Sequence, residues 1–309
     1  MQPNKARWYV AGHNGLVGRA VCRKLTSEHV GELLTAPSSE LDLRDKSAVM
    51  DFVMTHRPDY MVIAAARVGG IWANSNFPVE FLTDNLEIQN NLMLAAHAAN
   101  TPNLVFLGSS CIYPKLAPQP LSVDSLLSGP LEPTNDAYAI AKIAGVRLVR
   151  AFRQQHGHDW YSLMPTNLYG PFDNFDLKTS HVLPALLRRF HEARAQNLEA
   201  VTLWGSGTPK REFLHVDDLA SAIWFLANNP PEVDLLNVGY GSDQTIKETA
   251  ELAARITGYE GSISWDLQMP DGTPQKLLDS SQIFQLGWRP GIDLPSGLRT
   301  TYEWYLDNH

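Results

Sequence analysis

A glycine-rich turn near the start of the chain constrains the fold more than any other feature. The apolar run Trp8–Ala11 leads directly into a string with glycine at its first, fourth and seventh positions, Gly12-His13-Asn14-Gly15-Leu16-Val17-Gly18. Val17, Val21 and Leu25 then recur with helical spacing. Because glycines in a strand-to-helix turn let backbone N–H groups approach a pyrophosphate, the string predicts a dinucleotide-binding βα unit.

Strand-like and helix-like segments alternate through the first half of the chain. Apolar runs at Tyr60–Ala64 and Leu104–Leu107 predict strands, and residues 46–56 and 86–99 have the pattern of helices. Strands that alternate with helices of this length form βαβ units. The sequence therefore predicts an α/β fold with a doubly wound, mostly parallel Rossmann-type sheet.

The second half of the chain has a different texture, with turn-rich loops between short elements. We therefore expect a cofactor-binding domain over residues 1–170 and a smaller substrate-binding lobe over residues 171–309. The stretch from Glu212 to Asn228 has the pattern of a strand followed by a helix. We expect a segment of about 213–240 to rejoin the first sheet.

Composition excludes several classes of protein. A net charge of -8 argues against bulk binding to nucleic acid or to anionic membranes. Only two cysteines, Cys22 and Cys111, are present, so a disulfide framework is not expected. No apolar run approaches the roughly 20 residues of a membrane span, and the polar start Met1–Arg7 lacks the core of a secretion signal. We expect a soluble cytoplasmic protein and no metal site.

The candidate catalytic residues are a serine, a tyrosine and a lysine. Tyr138 and Lys142 stand four residues apart on one helical face. A nearby ammonium favours the phenolate, so we expect Lys142 to lower the pKa of Tyr138 toward a useful range. Ser109, after a predicted strand, can help to hold a carbonyl oxygen beside the tyrosine. The three residues, in this order after a glycine-rich turn, match the short-chain dehydrogenase/reductase pattern.

Longer sequence motifs limit this resemblance to one family of the short-chain dehydrogenases/reductases. The chain resembles the GDP-L-fucose synthases, within the extended class of short-chain dehydrogenases/reductases, over nearly its whole length. The strings that carry the likeness are GSSCIYPK at 108–115, LEPTN at 131–135, MPTNLYG at 164–170, SHVLP at 180–184, WGSGTP at 204–209, REFLHVDD at 211–218 and PDGTP at 270–274.

The resemblance implies a two-stage reaction on a GDP-linked 4-keto-6-deoxy sugar. GDP-4-keto-6-deoxy-D-mannose would be epimerised at C3 and C5, and its C4 ketone would then be reduced by NADPH. Cys111 and His181 would exchange the protons at C3 and C5, and Tyr138 would protonate the C4 oxygen. A GDP-colitose-type synthase, acting on a dideoxy substrate, stays open as the alternative. A non-catalytic nucleotide sensor is disfavoured, because Tyr138 and Lys142 are both present.

The resemblance also assigns binding residues. It implies a homodimer and NADP(H) as cofactor, with use of NAD(H) left open, because Asn14 and Ala36 stand where the family usually has basic residues. Arg44 is the nearby cation that could replace them. For the GDP-sugar the implied residues are Arg189, Trp204, Arg211 and Asp271. Besides the glycine-rich string, the implied cofactor-binding residues are Ser38, Ser39, Leu107, Gly108, Ser109, Lys142, Pro165, Thr166, Asn167, Leu168 and His181.

Overall fold

The core of the molecule is a six-stranded sheet in which every neighbouring pair is parallel. A computed structural model describes residues 2–177, 179–269 and 271–309. The strand order is β2-β1-β3-β4-β5-β9. The bounds are β1 Arg7–Ala11, β2 Glu32–Leu34, β3 Tyr60–Ile63, β4 Asn103–Leu107, β5 Tyr161–Pro165 and β9 Leu235–Val238. The predicted α/β fold with a parallel doubly wound sheet is confirmed.

Helices cover both faces of this sheet, so its strands are buried and read as continuous apolar runs. On one face lie α1 (Leu16–Ser27), α7 (Val216–Asn228) and the short α9 (Ser281–Gln285). On the other face lie α2 (Lys46–His56), α4 (Pro78–Ala98) and α5 (Asp136–His156). The helix predicted from residue 86 begins eight residues earlier, since Pro78 occupies a first-turn position where its missing N–H costs nothing.

Strand order reverses on either side of β1, which opens a crevice at the carboxyl ends of β1 and β3. Gly12 ends β1 there with φ of +86°. A Cβ on Gly12 would come within 2.6 Å of the Ala65 backbone, so only glycine fits. Ligands of open α/β sheets bind in the crevice outside such a reversal. The sequence feature that predicted a dinucleotide site therefore lies at the site that the topology creates.

The remaining elements form a second group beside the carboxyl edge. Three short helices, α6, α8 and α10, pack around their own apolar cluster. One sheet has the order β10-β8-β12, with β6 also paired to β8, and a second consists of β7 and β11. The bounds are α3 Ile71–Asn76, α6 Val182–Ala195, α8 Ile246–Thr257, α10 Leu294–Asn308, β6 Asn167–Tyr169, β7 Ala200–Trp204, β8 Lys210–His215, β10 Asp243–Thr245, β11 Ser262–Asp266 and β12 Gln275–Lys276.

The segment expected to return to the first sheet does so only in part. The strand within Glu212–Asn228 is the end of β8, which belongs to the second group and pairs with β6, β10 and β12. The helix that follows, α7, packs on α1 of the first group, and β9 then pairs with β5. The division of the chain into domains at residue 170 stays a prediction.

Candidate active site

The loop after β4 presents the serine and the cysteine together. Ser109 ends an extended segment, and a single 3₁₀ turn, Ser110–Ile112, follows it. The Ser109 hydroxyl accepts hydrogen bonds from the backbone N–H of Cys111 at 3.4 Å and from its thiol at 3.0 Å. Cys111 is buried, with 7% of its surface exposed. The turn therefore holds Cys111 Sγ directly against the serine hydroxyl.

Helix α5 brings Tyr138 and Lys142 to the same place. The Tyr138 phenol is hydrogen-bonded to Ser109 and lies within charge-interaction range of Cys111. The Lys142 ammonium donates to the carbonyl oxygen of Leu107 at 2.9 Å and stands 5.8 Å from the centre of the Tyr138 ring. The four residues Ser109, Cys111, Tyr138 and Lys142 therefore form one contiguous group at the carboxyl end of β4.

The expected lowering of the Tyr138 pKa is wrong for this structure. Burial raises the pKa of Tyr138 well above its ordinary value, and the hydrogen bond from Ser109 offsets only part of that rise. Burial also lowers the pKa of Lys142 to about 8, which weakens the positive charge meant to favour the phenolate. Tyr138 is therefore a protonated phenol, which suits a group that gives a proton to an oxygen.

His181 is the N-cap residue of α6. Its surface is exposed, yet protein surrounds the imidazole closely enough that desolvation lowers its pKa, and the charge of Lys276 lowers it further. Lys276 also interacts electrostatically with Cys111. Sequence reasoning missed Lys276, because nothing in its local pattern separates it from an ordinary surface lysine.

The glycine-rich turn has the geometry to receive a diphosphate. Gly15 donates its N–H to Gly12 O at 3.1 Å and caps the start of α1. A Cβ on Gly18 would lie 2.1 Å from the same oxygen, so the helix can approach β1 only because Gly18 has no side chain. His13 and Asn14 project from the turn, while Leu16 and Val17 pack against the core. The backbone N–H groups at the start of α1 are left to face a ligand.

The expected cofactor residues after β5 serve partly as scaffold. The Thr166 hydroxyl and the Asn167 amide both donate to the carbonyl oxygen of Glu212, at 3.2 and 2.8 Å. These bonds tie the end of β5, at Pro165, to β8. Leu168 lies on β6 and packs against the core. Gly108 passes so close to Met164 that a Cβ there would meet its sulfur at 2.4 Å.

The segment after β2 was expected to contact the adenosine ribose of the cofactor. It presents serine hydroxyls there, but the Arg44 guanidinium is not free to bind a phosphate. Ser38 and Ser39 are exposed in the turn after β2. Arg44 binds Asp42 through two hydrogen bonds of 3.0 and 2.8 Å and stands 3.7 Å from Asp84. The only compensating cation that the sequence suggested is therefore already paired with carboxylates.

Three of the four expected substrate residues converge. Trp204 ends β7 with 62% of its surface exposed, and the adjoining turn binds Asp271 through Ser206, whose N–H and hydroxyl donate at 2.6 and 2.8 Å. Burial lowers the pKa of Arg211, and the charge of Asp271 opposes that effect. An aromatic surface, a guanidinium and a carboxylate thus lie on one loop cluster.

The fourth residue, Arg189, lies on α6. Its neighbour Arg188 pairs with Glu192 at 2.7 Å and donates to the carbonyl oxygen of Phe175. Arg189 has no hydrogen bond or ion pair within the described ranges, so its guanidinium is available to a ligand. No contact in those ranges joins Arg189 to Arg211, so a shared ligand would have to bridge them.

Two kinds of feature are absent from the residues that the structure describes. No group of three or more histidine, cysteine, aspartate or glutamate side chains has a metal-binding arrangement. No helix in the same part of the chain is both long enough and apolar enough to span a bilayer.

Comparison with known proteins identifies the family. A sequence profile of the NAD-dependent epimerase/dehydratase family matches residues 8–239. The chain belongs to this family. A protein of Arabidopsis thaliana described as a putative GDP-L-fucose synthase is 54% identical over 100% of this chain and 94% of its own. The GDP-L-fucose synthase of Escherichia coli is 51% identical, with 99% and 98% covered. Within its family the chain thus belongs with the GDP-L-fucose synthases.

Two proteins of lower sequence identity have related activities. The GDP-L-colitose synthase of Yersinia pseudotuberculosis is 37% identical over 96% of this chain and 97% of its own. The solved structure of a GDP-mannoheptose C4 reductase from Campylobacter jejuni, with NADP bound, is 34% identical and superimposes with a TM-score of 0.90 over 99% of each chain. Reduction at C4 of a GDP-sugar is therefore found among proteins of this fold.

Proposed function

We propose that this chain makes GDP-L-fucose: it epimerises GDP-4-keto-6-deoxy-D-mannose at C3 and C5 and then reduces the C4 ketone with NADPH. The observation that carries the proposal is the contiguous group of Ser109, Cys111, Tyr138 and Lys142. A plain ketone reductase needs only the serine, the tyrosine and the lysine. The thiol held 3.0 Å from the serine hydroxyl adds a group that can move a proton on carbon.

Epimerisation needs a stabilised enolate and two proton-transfer groups. Both carbons flank the ketone, so loss of either proton places negative charge on the C4 oxygen. Ser109 and Tyr138 are proposed to donate hydrogen bonds to that oxygen. Cys111 and His181 are proposed to handle the protons on opposite faces of the sugar, because thiol and imidazole titrate nearest neutrality. Each inversion removes one proton and returns one, so no redox change accompanies it.

Reduction reuses the same oxygen. Tyr138 would give its phenolic proton to the C4 oxygen, and NADPH held by the glycine-rich turn would supply the hydride to C4. Burial raises the pKa of Tyr138, so the phenol holds the proton that this step requires. Lys142, held by Leu107 O at 2.9 Å, is proposed to contact the nicotinamide ribose. The proton and the hydride together complete the alcohol.

The assignment of NADP(H) rests on a fit to the glycine-rich turn. Gly12 and Gly18 leave room that any Cβ would fill, and the N–H groups at the start of α1 would hold the diphosphate. His13, Asn14, Ser38 and Ser39 border the same opening and would contact the adenosine half. The related C4 reductase structure, with NADP bound, supports this cofactor.

The GDP portion is proposed to bind the second group of elements. Arg189 and Arg211 would hold its phosphates, since a guanidinium donates two parallel hydrogen bonds to phosphate oxygens. Trp204 and Asp271 would contact the nucleoside. Fucose is favoured over colitose as the product, because identity to the synthases of Arabidopsis and E. coli is 51–54% and falls to 37% for the colitose enzyme.

The decisive experiment is incubation with GDP-4-keto-6-deoxy-D-mannose and NADPH, followed by identification of the product. We expect GDP-L-fucose. Tyr138→Phe should still bind the GDP-sugar but lose roughly 10²–10⁴-fold in hydride transfer. A product with unchanged configuration at C3 and C5 would leave only the reductase, and no NADPH oxidation at all would refute the proposal.

We also propose a cytoplasmic homodimer. Helices α4 and α5 pack on each other, and each keeps an apolar side chain exposed, Leu94 at 39% and Ile140 at 48%. Exposed apolar patches mark subunit interfaces, and these two side chains would each form part of one. Sedimentation analysis should give twice the chain mass, and Ile140→Glu should shift the equilibrium toward monomer.

A further inference from the structure

The segment that leads into α3 packs against the surroundings of Tyr138. A Cβ on Gly69 would come within 3.2 Å of the tip of the Phe81 ring, so the Gly69 backbone lies directly against this side chain. Phe81, near the start of α4, meets the Tyr138 ring edge-on, with the ring centres 6.3 Å apart and the ring planes at 81°. The positions of Gly69 and Tyr138 are therefore linked through one buried aromatic ring.

The next residue packs against the segment that leads into His181. Gly70 N–H donates to the carbonyl oxygen of Thr179 at 3.1 Å, and a Cβ on Gly70 would lie 3.2 Å from the carbonyl oxygen of Ser180. That distance is shorter than most Cβ contacts, so the two backbones can come no closer. Because His181 follows Ser180 as the N-cap residue of α6, Gly70 helps to set where His181 lies.

A buried asparagine holds both glycines. Asn74 lies in α3 with 7% of its surface exposed. Its amide nitrogen donates to the carbonyl oxygen of Gly69 at 2.8 Å and to that of Gly70 at 3.1 Å. The amide oxygen is buried and has no hydrogen-bond partner within residues 2–177, 179–269 and 271–309. The Asn74 side chain therefore acts as a donor to the two residues that pack toward Tyr138 and His181.

The other end of the same segment is fixed in a similar way. Asn85, buried in α4, accepts from the N–H of Arg67 at 2.9 Å and donates to its carbonyl oxygen at 3.1 Å. Glycine loses more conformational freedom on folding than any other residue, so an unbound pair of glycines would be the loosest part of this segment. The bonds from Asn74 make that pair rigid enough to keep two other side chains at a fixed separation.

We propose that Asn74 is a positioning residue: by holding Gly69 and Gly70 it sets the distance between Tyr138 and His181. For its catalytic meaning this inference rests on the proposed function. Epimerisation needs both side chains on one sugar, because Tyr138 stabilises the enolate oxygen while His181 exchanges a proton on carbon. Reduction needs Tyr138 but not His181. A change in their separation should therefore slow proton exchange more than hydride transfer.

A test that needs no substrate is nuclear magnetic resonance of protein whose histidine side chains carry carbon-13. His181→Asn identifies the His181 signal among the ten histidines of the chain. Asn74→Ala should move or broaden that signal and leave most of the others in place. Asn76→Ala is the matched control, because the exposed Asn76 amide also donates to a carbonyl oxygen four residues back in α3, at 2.7 Å. It should leave the His181 signal unmoved.

A second variant moves the same segment without removing a hydrogen bond. Gly70→Ala places a methyl group 3.2 Å from the carbonyl oxygen of Ser180, so one of the two backbones must shift. We expect it to displace the His181 signal as Asn74→Ala does, and it decides the matter if Asn74→Ala does not fold. Gly291→Ala is its control, since a Cβ there would approach its nearest neighbour only to 3.8 Å.

The catalytic readout compares two rates. Asn74→Ala should slow solvent deuterium entry at C3 and C5 by about tenfold or more, since a misplacement of about 1 Å can cost roughly 10²-fold. Oxidation of GDP-L-fucose by NADP⁺, the reverse of the reduction step, should slow less, because it does not use His181.

An unmoved His181 signal in folded Asn74→Ala or Gly70→Ala overturns the inference, whatever the substrate is. Equal slowing of the two rates overturns its catalytic meaning. A moved signal in a protein whose wild type never exchanges the protons at C3 and C5 would leave the positioning of His181 standing and reject the proposed function.

Discussion

Replacing Lys142 by methionine should change how the stability of this protein depends on pH. Lys142 is 3% exposed, and burial lowers the pKa of its ammonium to about 8. In the unfolded chain the pKa returns to about 10.4. Between these two values the unfolded chain binds the extra proton, so this group makes stability rise as pH rises. A shift of roughly two units or more, at about 1.4 kcal/mol each, gives a gain of about 3 kcal/mol.

The assay is urea unfolding, followed by tryptophan fluorescence, at several values between about pH 7.5 and about pH 10.5. The free energy of unfolding of the wild type minus that of Lys142→Met should increase by about 3 kcal/mol across this range. Ionisations shared by both proteins cancel in the difference. Repeating the pair in a Tyr138→Phe background removes the neighbouring phenol, and Lys247→Met on the exposed face of α8 is the matched control.

A flat difference for Lys142→Met, equal to that for Lys247→Met, would refute the reasoning. It would mean that water reaches the ammonium in the folded protein and that burial does not govern its charge. A rising difference that disappears in the Tyr138→Phe background would instead assign the effect to the phenol. Turnover is expected to be lost in Lys142→Met in either case, so stability and activity are measured separately.

Three other outcomes are expected. Cys111→Ser and His181→Asn should stop solvent deuterium entering the keto-sugar while cofactor binding persists; exchange at the wild-type rate would remove both from epimerisation. Asn14→Arg with Ala36→Arg should increase the ratio of kcat/KM for NADPH over NADH by about tenfold or more, since a hydrogen bond to a charged group contributes roughly 1.5–3 kcal/mol. An unchanged ratio would mean that another group already binds the 2′-phosphate. Burial lowers the pKa of His158, so protons favour the unfolded chain, and stability should fall below about pH 6.5, less so in His158→Gln.

Local patterns were sufficient for the framework of this protein. Glycine at positions 12, 15 and 18 predicted the turn, because its conformation and close packing are demands that a short stretch of backbone makes by itself. Strands β1, β3 and β4 of the first sheet were predicted because burial on both faces requires continuous apolar residues. The spacing of Tyr138 and Lys142 predicted that they share a helical face, which is a property of helix geometry alone.

The strand at Lys210–His215 shows that a local sequence pattern does not predict which strands pair with each other. Its residues predicted a strand, but their partners lie in distant segments, so the sequence assigned it to the wrong sheet. Arg44 likewise is a candidate cation by sequence, but in the structure it pairs with Asp42 and Asp84. Pairing between distant segments depends on how the whole chain packs, which periodicity over a few residues does not contain.

The sequence by itself determined the glycine-rich turn, the order of the catalytic residues and the α/β class, since each follows from neighbours along the chain. Only the tertiary structure decided the charge state of the site. Tyr138 and Lys142 have shifted pKa values because the surrounding protein removes water from them. Lys276 stands opposite Arg211 because β12 pairs with β8. Desolvation and charge interactions depend on distance in space, so they are fixed only when the chain has folded.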